Sequence, residues 1–169
     1  MNALTLRTAT REDRHTRWQI THEAWKVAYA HIYTPQEITD VFDDLLFQRQ
    51  SWGRNRGELL GHLVAERDGR LVGFVGMALC MRGRGQPQHG EITALYVLPE
   101  EHGRGAGRLL WQAGLAQLRA RDCTAAWVWT LQRASAVDFY RHMGATAAAH
   151  GIYTIGDHEE PAIGFLISL

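Results

Sequence analysis

Apolar and polar positions follow two different periods along the chain, and the change between them predicts where helices give way to strands. Residues 3 to 7 predict a short strand, after which apolar and aromatic side chains recur at helical spacing. These helical positions are Trp18, His22, Trp25, Tyr29 and Ile32. Thr10, with Asp13 three residues later, indicates the start of this helix. Pro35 starts a second helix, which we expect to extend to about Gln48.

The remainder of the chain has the pattern of strands separated by turns and by two further helices. Gly53, Asn55 and Gly57 indicate a loop, and Asp68-Gly69 is a typical hairpin turn between two apolar runs. The predicted elements are strands at 59–67, 71–81 and 91–98, a helix at 105–121, a strand at 125–131, a helix at 134–142, and strands at 145–155 and 161–168. This order of elements predicts one α/β domain.

Composition and charge restrict the class of protein. The 169 residues are 46% hydrophobic and 21% charged, so we expect residues 1–169 to form a single globular domain. Lys plus Arg and Asp plus Glu each number 18, so no net positive charge attracts nucleic acid. The sequence also contains neither an apolar run of about 18 residues, as a membrane-spanning helix requires, nor the basic segment and apolar core of a signal peptide. We therefore expect a cytoplasmic protein that binds neither nucleic acid nor membrane.

A glycine-rich segment between a predicted strand and a predicted helix is the strongest sign of a binding site. Gly103, Gly105 and Gly107 lie where backbone N–H groups at a helix N-terminus can converge on an anion such as a diphosphate. Glycine permits both positive φ and close approach of the backbone. A tight strand-to-helix turn without a ligand is the alternative. A dinucleotide fingerprint does not fit, because the loop lies past mid-chain and lacks an acidic ribose partner about 20 residues on.

The loop and the order of elements resemble the GNAT superfamily of N-acetyltransferases. The family signature is Gln or Arg, two residues, Gly, any residue, then Gly or Ala, and here it is His102-Gly-Arg-Gly-Ala-Gly107. The segment from Arg133 to Gly144 is similar to a second acyl-CoA motif of the family, in which Asn, Ala and Phe-Tyr precede a Gly. The resemblance covers about residues 3 to 168. It implies an α/β fold with a mixed central sheet of about seven strands, flanked by about four helices and splayed at the acyl-CoA site.

The resemblance also implies which residues bind acetyl-CoA, the co-substrate that donates the acetyl group. In the family the loop binds the pyrophosphate, and the strand before it contacts pantetheine through backbone groups, at positions matched by Tyr96 and Val97. The implied cofactor-binding residues are Leu95, Tyr96, Val97, His102, Gly103, Arg104, Gly105, Ala106, Gly107, Arg108 and Arg133. A plain core strand is the alternative for the residues of 95–98.

Acetyl transfer to an amine needs two proton transfers, and the resemblance assigns one residue to each. An amine with a pKa near ~10.4 is mostly protonated at neutral pH, so a base or a proton-accepting water chain is required. Glu91, at the start of the cofactor-facing strand, matches a position where the family often has a carboxylate. Tyr140 matches the tyrosine that protonates the departing CoA thiolate. The alternatives are a solvated strand end for Glu91 and an aromatic packing residue for Tyr140.

The acceptor is predicted only as a primary amine, of either a small molecule or a peptide. In the resembling family, the segments that carry Trp25, Tyr29, Tyr33 and Glu159 flank the acceptor cleft. The acids at 157–160 would attract a cationic amine. The alternative is that the aromatic residues belong to the core and the acids to a solvated hairpin tip. The nine histidines lack a metal-ligand spacing, so no metal is expected.

Two functions are consistent with this sequence. The first is an acetyl-CoA-dependent N-acetyltransferase in which the amine attacks the donor directly in a ternary complex. The second is a catalytically silent acyl-CoA-binding or regulatory module. Departures from the family pattern favour the second, since His102 stands where Gln or Arg is usual and Arg133 where Asn is usual. Glu91 and Tyr140 favour the enzyme. The sequence does not determine the oligomeric state, and a homodimer is one of the alternatives.

Overall fold

A seven-stranded sheet forms the centre of the structure, a computed structural model that describes residues 3–43, 56–155 and 158–169. The strands are β1 (Leu4–Thr8), β2 (Arg56–Arg67), β3 (Arg70–Cys80), β4 (His89–Val97), β5 (Ala125–Leu131), β6 (Thr146–Ile155) and β7 (His158–Ser168). The α-helices in these ranges are α1 (Arg14–Ala28), α2 (Pro35–Asp43), α3 (Ala106–Arg119) and α4 (Ala136–His142), and a short 3-10 helix covers Pro99–Glu101.

The strand order is β1-β2-β3-β4-β5-β7-β6, and the sheet is mixed. All neighbouring strands are antiparallel except β4 and β5, which are parallel and joined through α3. A parallel pair requires such a crossover, because the chain must return to the same end of the sheet before the next strand. The predicted fold class, a mixed sheet with helices and an opening between strands, is confirmed.

The parallel pair is short, and this shortness opens the sheet. β4 and β5 are in register from His89 opposite Ala125 to Ile92 opposite Val128. On its other edge, β4 stays paired with β3 up to Val97, after a bulge near Ile92. The last residues of β4 therefore have a neighbouring strand on one side only, and the sheet splays there.

Two apolar layers cover the sheet. α3 buries Leu110, Trp111 and Leu118 against one face, together with Ile92 and Phe165 of the strands. On the other side, α1 and α2 contribute to a second cluster that is rich in aromatic side chains. Its buried members include Trp25, Tyr29, Tyr33, Phe42 and Leu131.

The predicted element boundaries agree best with the structure where turn-forming residues mark the ends of the elements. β5 has the predicted bounds, and α3 ends two residues before the predicted Arg121. The loop assignment of Gly57 is wrong, because this residue lies in β2, opposite the end of β3. β7 begins at His158, three residues before the predicted start, so residues 158–160 are strand. Gln48, Gly53, Asn55 and Asp157 lie outside the described residues.

A buried carboxylate connects the first strand to the first helix. Asp13 accepts hydrogen bonds from both terminal nitrogens of Arg7, at 2.7 and 2.9 Å, and from the backbone amide of Thr10, at 2.7 Å. Arg7 also donates to Glu66 of β2 at 2.9 Å. The hydrogen bonds from Arg7, followed by the one from Thr10, hold the pKa of Asp13 well below its usual range. The ionised form of Asp13 therefore stabilises the folded state.

We expect Asp13→Asn to lower the free energy of unfolding by about 1–3 kcal/mol at neutral pH, because the Arg7 guanidinium loses its charged acceptor. The lowered pKa makes this contribution complete above the ordinary carboxyl pKa of about 4, and lost as the pH falls below it. Urea unfolding of both proteins between pH 7 and about pH 3 measures the difference, which should shrink with acidification.

Glu23→Gln is the control for this comparison, because Glu23 pairs with Lys26 on the exposed surface of the same helix. An exposed ion pair contributes little to stability. A pH-independent difference for Asp13→Asn, or an equal loss in Glu23→Gln, would contradict the assignment.

Candidate functional site

A cleft of about 670 Å³ lies where β4 and β5 separate. One wall is β4 from Ile92 to Val97, and the facing wall is β5 from Val128 to Leu131. The glycine loop closes one end, and α4 and the C-terminal part of α1 contribute side chains. The cleft thus joins the two motifs that lie apart in the sequence.

The glycine loop begins α3 in the conformation that an anion site needs. Gly103 and Gly105 have φ of +73° and +91°, in the left-handed region that favours glycine. A Cβ at either position would meet no atom within 4 Å, so the backbone conformation, and not crowding, requires glycine here. α3 starts at Ala106, so the first amides of the helix have no partner within the helix. These amides and the positive end of the helix dipole lie at the cleft.

Charged side chains surround the loop. Glu101 belongs to the cleft wall and is only 6% exposed. Its carboxylate accepts hydrogen bonds from Arg67 Nε at 2.9 Å and from Arg104 Nη1 at 2.7 Å. Arg108 is exposed and lines the cleft, and a ring nitrogen of His102 lies 3.3 Å from the carbonyl oxygen of Val97. Neither Arg67 nor Glu101 is among the site residues predicted from the sequence.

The three predicted strand residues, Leu95, Tyr96 and Val97, line the cleft. The hydroxyl of Tyr96 accepts a hydrogen bond from Trp25 Nε1 at 3.2 Å. Burial raises the pKa of Tyr96, and the hydrogen bond from Trp25 opposes this rise. Tyr96 thus stays neutral near pH 7 and is fixed at both its ring and its hydroxyl.

Tyr140 lies on α4 and also lines the cleft. Its residue is 5% exposed, and its ring contacts Trp111 and Phe165, with centroids 5.5 and 5.8 Å apart. Burial, followed by the proximity of Tyr96 and Tyr153, raises the pKa of Tyr140 well above its ordinary value. The hydroxyl therefore keeps its proton throughout the neutral range. The side chain packs in the core and reaches the cleft, so the two interpretations of this residue are compatible.

Glu91 is placed differently from Tyr140. It lies in the short paired part of β4, opposite Ala78 on β3 and Trp127 on β5, and is 2% exposed. Among the described residues, the cleft wall includes Tyr140 but not Glu91. Its predicted role as a base remains a prediction, and the structure does not bring its carboxylate into the wall beside Tyr140.

Of the predicted acceptor residues, Tyr29 lines the cleft. Trp25 is 0% exposed and donates a hydrogen bond to the Tyr96 hydroxyl, and Tyr33 packs edge-on against Tyr29. Burial, followed by the charge of Glu160, raises the pKa of Tyr33 to about 12. Glu159 is exposed on β7. Within the described ranges, Tyr29 is thus the member of this set that the structure brings into the cleft wall.

Arg133, whose contact with the cofactor remains a prediction, pairs with an acid of the last hairpin. Its guanidinium donates to both carboxylate oxygens of Glu160, at 2.8 and 3.0 Å, and its side chain is 53% exposed. Its carbonyl oxygen lies 2.7 Å from a ring nitrogen of His31. Among the described lining residues Arg133 does not occur. The departure from the family's Asn therefore coincides with a different contact.

Several cleft residues were missed by the sequence analysis. They come mainly from the diverging half of β5, with one residue from α4 and one from near the end of β6: Trp129, Thr130, Leu131, Phe139 and Tyr153. Phe139, adjacent to Tyr140 in the second motif, was the one with a usable signal. The others required knowledge of where two strands stop pairing, which hydrophobic periodicity does not contain.

Two further features concern residues 3–43, 56–155 and 158–169. None of the helices there is long and apolar enough to cross a membrane. The same residues contain no group of three or more His, Cys, Asp or Glu side chains arranged to hold a metal ion.

The model described as the acetyltransferase (GNAT) family matches residues 18–145. A mycothiol acetyltransferase from Thermobispora bispora is 33% identical over 129 residues, which cover 73% of this chain. The chain spans 42% of the length of that relative.

Solved structures with the same fold are similar over nearly the whole chain. A GCN5-related N-acetyltransferase from Rhodopseudomonas palustris has a TM-score of 0.73 at 22% identity, covering 100% of this chain and 98% of its own. The PaiA N-acetyltransferase from Thermoplasma acidophilum, in complex with coenzyme A, has a TM-score of 0.68 at 20% identity, with coverages of 95% and 98%. These likenesses support the fold.

The loop geometry distinguishes two neighbouring glycines. We expect Gly105→Ala to lower the free energy of unfolding by about 1–2 kcal/mol, because a Cβ is strained at positive φ. At Gly107 a Cβ would lie 3.6 Å from the Phe139 ring, which is ordinary contact, inside the first turn of α3. Gly107→Ala should therefore leave stability unchanged or slightly raised. Thermal and denaturant unfolding of the two variants provides the test, and equal losses would contradict the loop conformation.

Proposed function

The chain belongs to the acetyltransferase (GNAT) family, and from this premise we propose that it transfers an acetyl group from acetyl-CoA to a primary amine. The amine attacks the thioester directly, with both substrates bound at once. One observation carries the proposal: the glycine loop at the start of α3 and the splayed ends of β4 and β5 line the same cleft. The cleft therefore has an anion site beside an open strand edge.

The anion site suits a diphosphate. The N-terminal amides of α3 and the positive end of its dipole are local partial charges, which a chain of zero net charge needs in order to hold an anion. Arg108 adds a full positive charge at the cleft. We assign Gly103, Gly105, Ala106 and Gly107 to the diphosphate of CoA, with His102, Arg104 and Arg108 around it.

The open strand edge suits the pantetheine arm, which carries amide groups like those of a peptide. Residues 94–97 of β4 pair with β3 and face the cleft on their other side. Backbone N–H and C=O groups at a buried edge need hydrogen-bonding partners. We assign the backbone of Leu95, Tyr96 and Val97 to this contact.

The chemistry of the cleft supports an acid near the reacting thioester. Tyr140 holds its proton at neutral pH and reaches the cleft, so it is our candidate for protonating the CoA thiolate as it departs. Its neighbours Tyr29, Tyr96 and Tyr153 add three hydroxyl-bearing rings to the same cleft. Glu91 remains the candidate base, and its burial in β4 means that it would act through a water chain.

The acceptor is a small-molecule or peptide amine. Tyr29 is the assigned side chain that faces the cleft, and Trp25 and Tyr33 form the packed layer behind it. Glu159 lies exposed on β7, where its charge would attract a cationic amine. The name mycothiol acetyltransferase belongs to a relative of which this chain spans 42%, so it favours a small-molecule acceptor without specifying one.

A catalytically silent acyl-CoA-binding module is the second candidate. Two observations favour it: Arg133 is engaged by Glu160, and Glu91 is outside the described cleft wall. Both functions require CoA binding, and they differ in whether an amine acceptor triggers thiol release.

An amine panel therefore tests the proposed function. We expect acetyl-CoA to bind in calorimetry, and free thiol to appear in the presence of at least one primary amine, with a colorimetric thiol reagent as the readout. Omission of each amine is the control for simple hydrolysis. CoA binding without acceptor-dependent thiol release would favour the silent module, and absence of CoA binding would exclude both functions.

Tyr140→Phe tests the proposed acid. The substitution removes one hydroxyl and keeps the ring that packs on Trp111 and Phe165. We expect turnover to fall by about 10²- to 10⁴-fold, with acetyl-CoA affinity changed far less. Because burial raises the pKa of Tyr140, any loss of rate from its deprotonation should lie above the ordinary tyrosine pKa of about 10.

The matched control is Phe139→Leu, which alters a neighbouring cleft side chain without removing a proton donor. A near-wild-type rate and pH profile for Tyr140→Phe, measured where chemistry limits turnover, would return Tyr140 to a packing role.

A further inference from the structure

Arg67 connects the end of a strand to the glycine loop at two points. It is the last residue of β2, and its Nε donates to Glu101 at 2.9 Å. Its Nη2 donates to the carbonyl oxygen of Arg104 at 3.2 Å. One planar guanidinium thus contacts a side chain and a backbone group on either side of Gly103, which has a left-handed conformation.

This contact is largely shielded from water. The side chains of Arg67 and Glu101 are 13% and 7% exposed, whereas that of Arg104, the second partner of Glu101, is 52% exposed. Coulomb interactions strengthen as solvent is excluded, and a buried charge left without its partner is strongly destabilising. The Arg67–Glu101 pair is therefore the stronger of the two contacts to this carboxylate.

The position of Glu101 makes its neutralisation important for binding. The residue lines the same cleft as His102, Gly103, Gly105 and Arg108. A carboxylate in this wall would repel a diphosphate at the adjacent amides unless a cation balances it. Arg67 provides that balance through its contact with Glu101, and it is not among the described residues that line the cleft.

We propose that Arg67 is a positioning residue for diphosphate binding: paired with Glu101, it fixes the glycine loop in its ligand-ready conformation and cancels the negative charge of the cleft wall. This proposal rests on the proposed function, because it takes the diphosphate of CoA as the ligand of the loop. Arg67 acts through Glu101 and the Arg104 carbonyl and makes no contact with the ligand itself.

The test compares two ligands that differ in the diphosphate. In Arg67→Met, which keeps an apolar stem and removes the charge, CoA should bind at least about tenfold more weakly. Pantetheine, which lacks the diphosphate and the nucleotide, should bind within about twofold of its wild-type affinity. Calorimetry measures CoA, and NMR titration measures the weaker pantetheine. Equal losses for both ligands would indicate general damage to the cleft and would overturn the proposal.

Arg70→Met is the matched control. Arg70 lies three residues from Arg67 and pairs with Glu100, next to Glu101, but the two side chains are 67% and 52% exposed. A solvent-exposed pair should matter little, so CoA affinity should change by less than about twofold. A loss equal to that in Arg67→Met would show a nonspecific effect of positive charge near the loop.

Arg67→Lys keeps the proposal testable if Arg67→Met unfolds, and a double variant with Glu101→Gln adds an independent measurement if it folds. Arg67→Lys retains the charge but cannot reach both acceptors in one plane, so it should lose part of the CoA affinity. In a Glu101→Gln background, Arg67→Met should cost much less CoA affinity than in the wild type, because the charge to be balanced is gone. Additive losses would overturn the proposal.

The wild-type protein separates this inference from the proposed function. If it binds no CoA, both fail together. If it binds CoA with an affinity that is indifferent to Arg67, only the positioning role fails, and the assignment of the loop stands.

Discussion

The short parallel pairing of β4 with β5 is the constraint on which the site depends. Pairing ends at Ile92 and Val128, while β4 continues against β3 to Val97. The strands then separate around a cleft into which side chains from α1, α4 and both strands project. Without this early end to pairing, residues 94–97 would be an ordinary interior strand, and the glycine loop that follows would meet no cavity.

The charges that would hold an anion lie close to the cleft. The chain has zero formal net charge, so an anion cannot be attracted by the protein as a whole. The helix terminus supplies partial charges, and Arg108 a full charge, at the mouth of the cleft. The carboxylate of Glu101 in the same wall is compensated by two guanidiniums. A small number of short-range interactions thus decides the polarity of the site.

Local patterns in the sequence predicted much of the fold, because turns and glycines act on their immediate neighbours. The Asp68-Gly69 turn separates β2 from β3, and the glycines at 103 and 105 have the expected positive φ. The GNAT resemblance added the mixed character of the sheet and its opening, which local patterns do not contain. Gly57 was misassigned because a glycine typical of loops here lies within a strand.

The details of the candidate site were harder to predict, because they depend on contacts between distant residues. Arg67 and Glu101 are 34 residues apart, and neither belongs to a motif that would pair them. Glu91 and Tyr140 were selected by position in a family pattern, but only the structure shows that one is enclosed between strands and the other reaches the cleft.

The pairing of β4 with β5 over only four residues also divides the sheet into two parts. On one side lie β1 to β4 in an antiparallel array, and on the other lie β5, β7 and β6 in a second one. Few backbone hydrogen bonds join the two arrays, so the apolar core that they share, with Ile92 from one and Phe165 from the other, carries much of the connection. A ligand lying along the open edge would contact both arrays and hold them together. Occupancy of the cleft and rigidity of the whole sheet would then rise together, and stability would depend on ligand concentration.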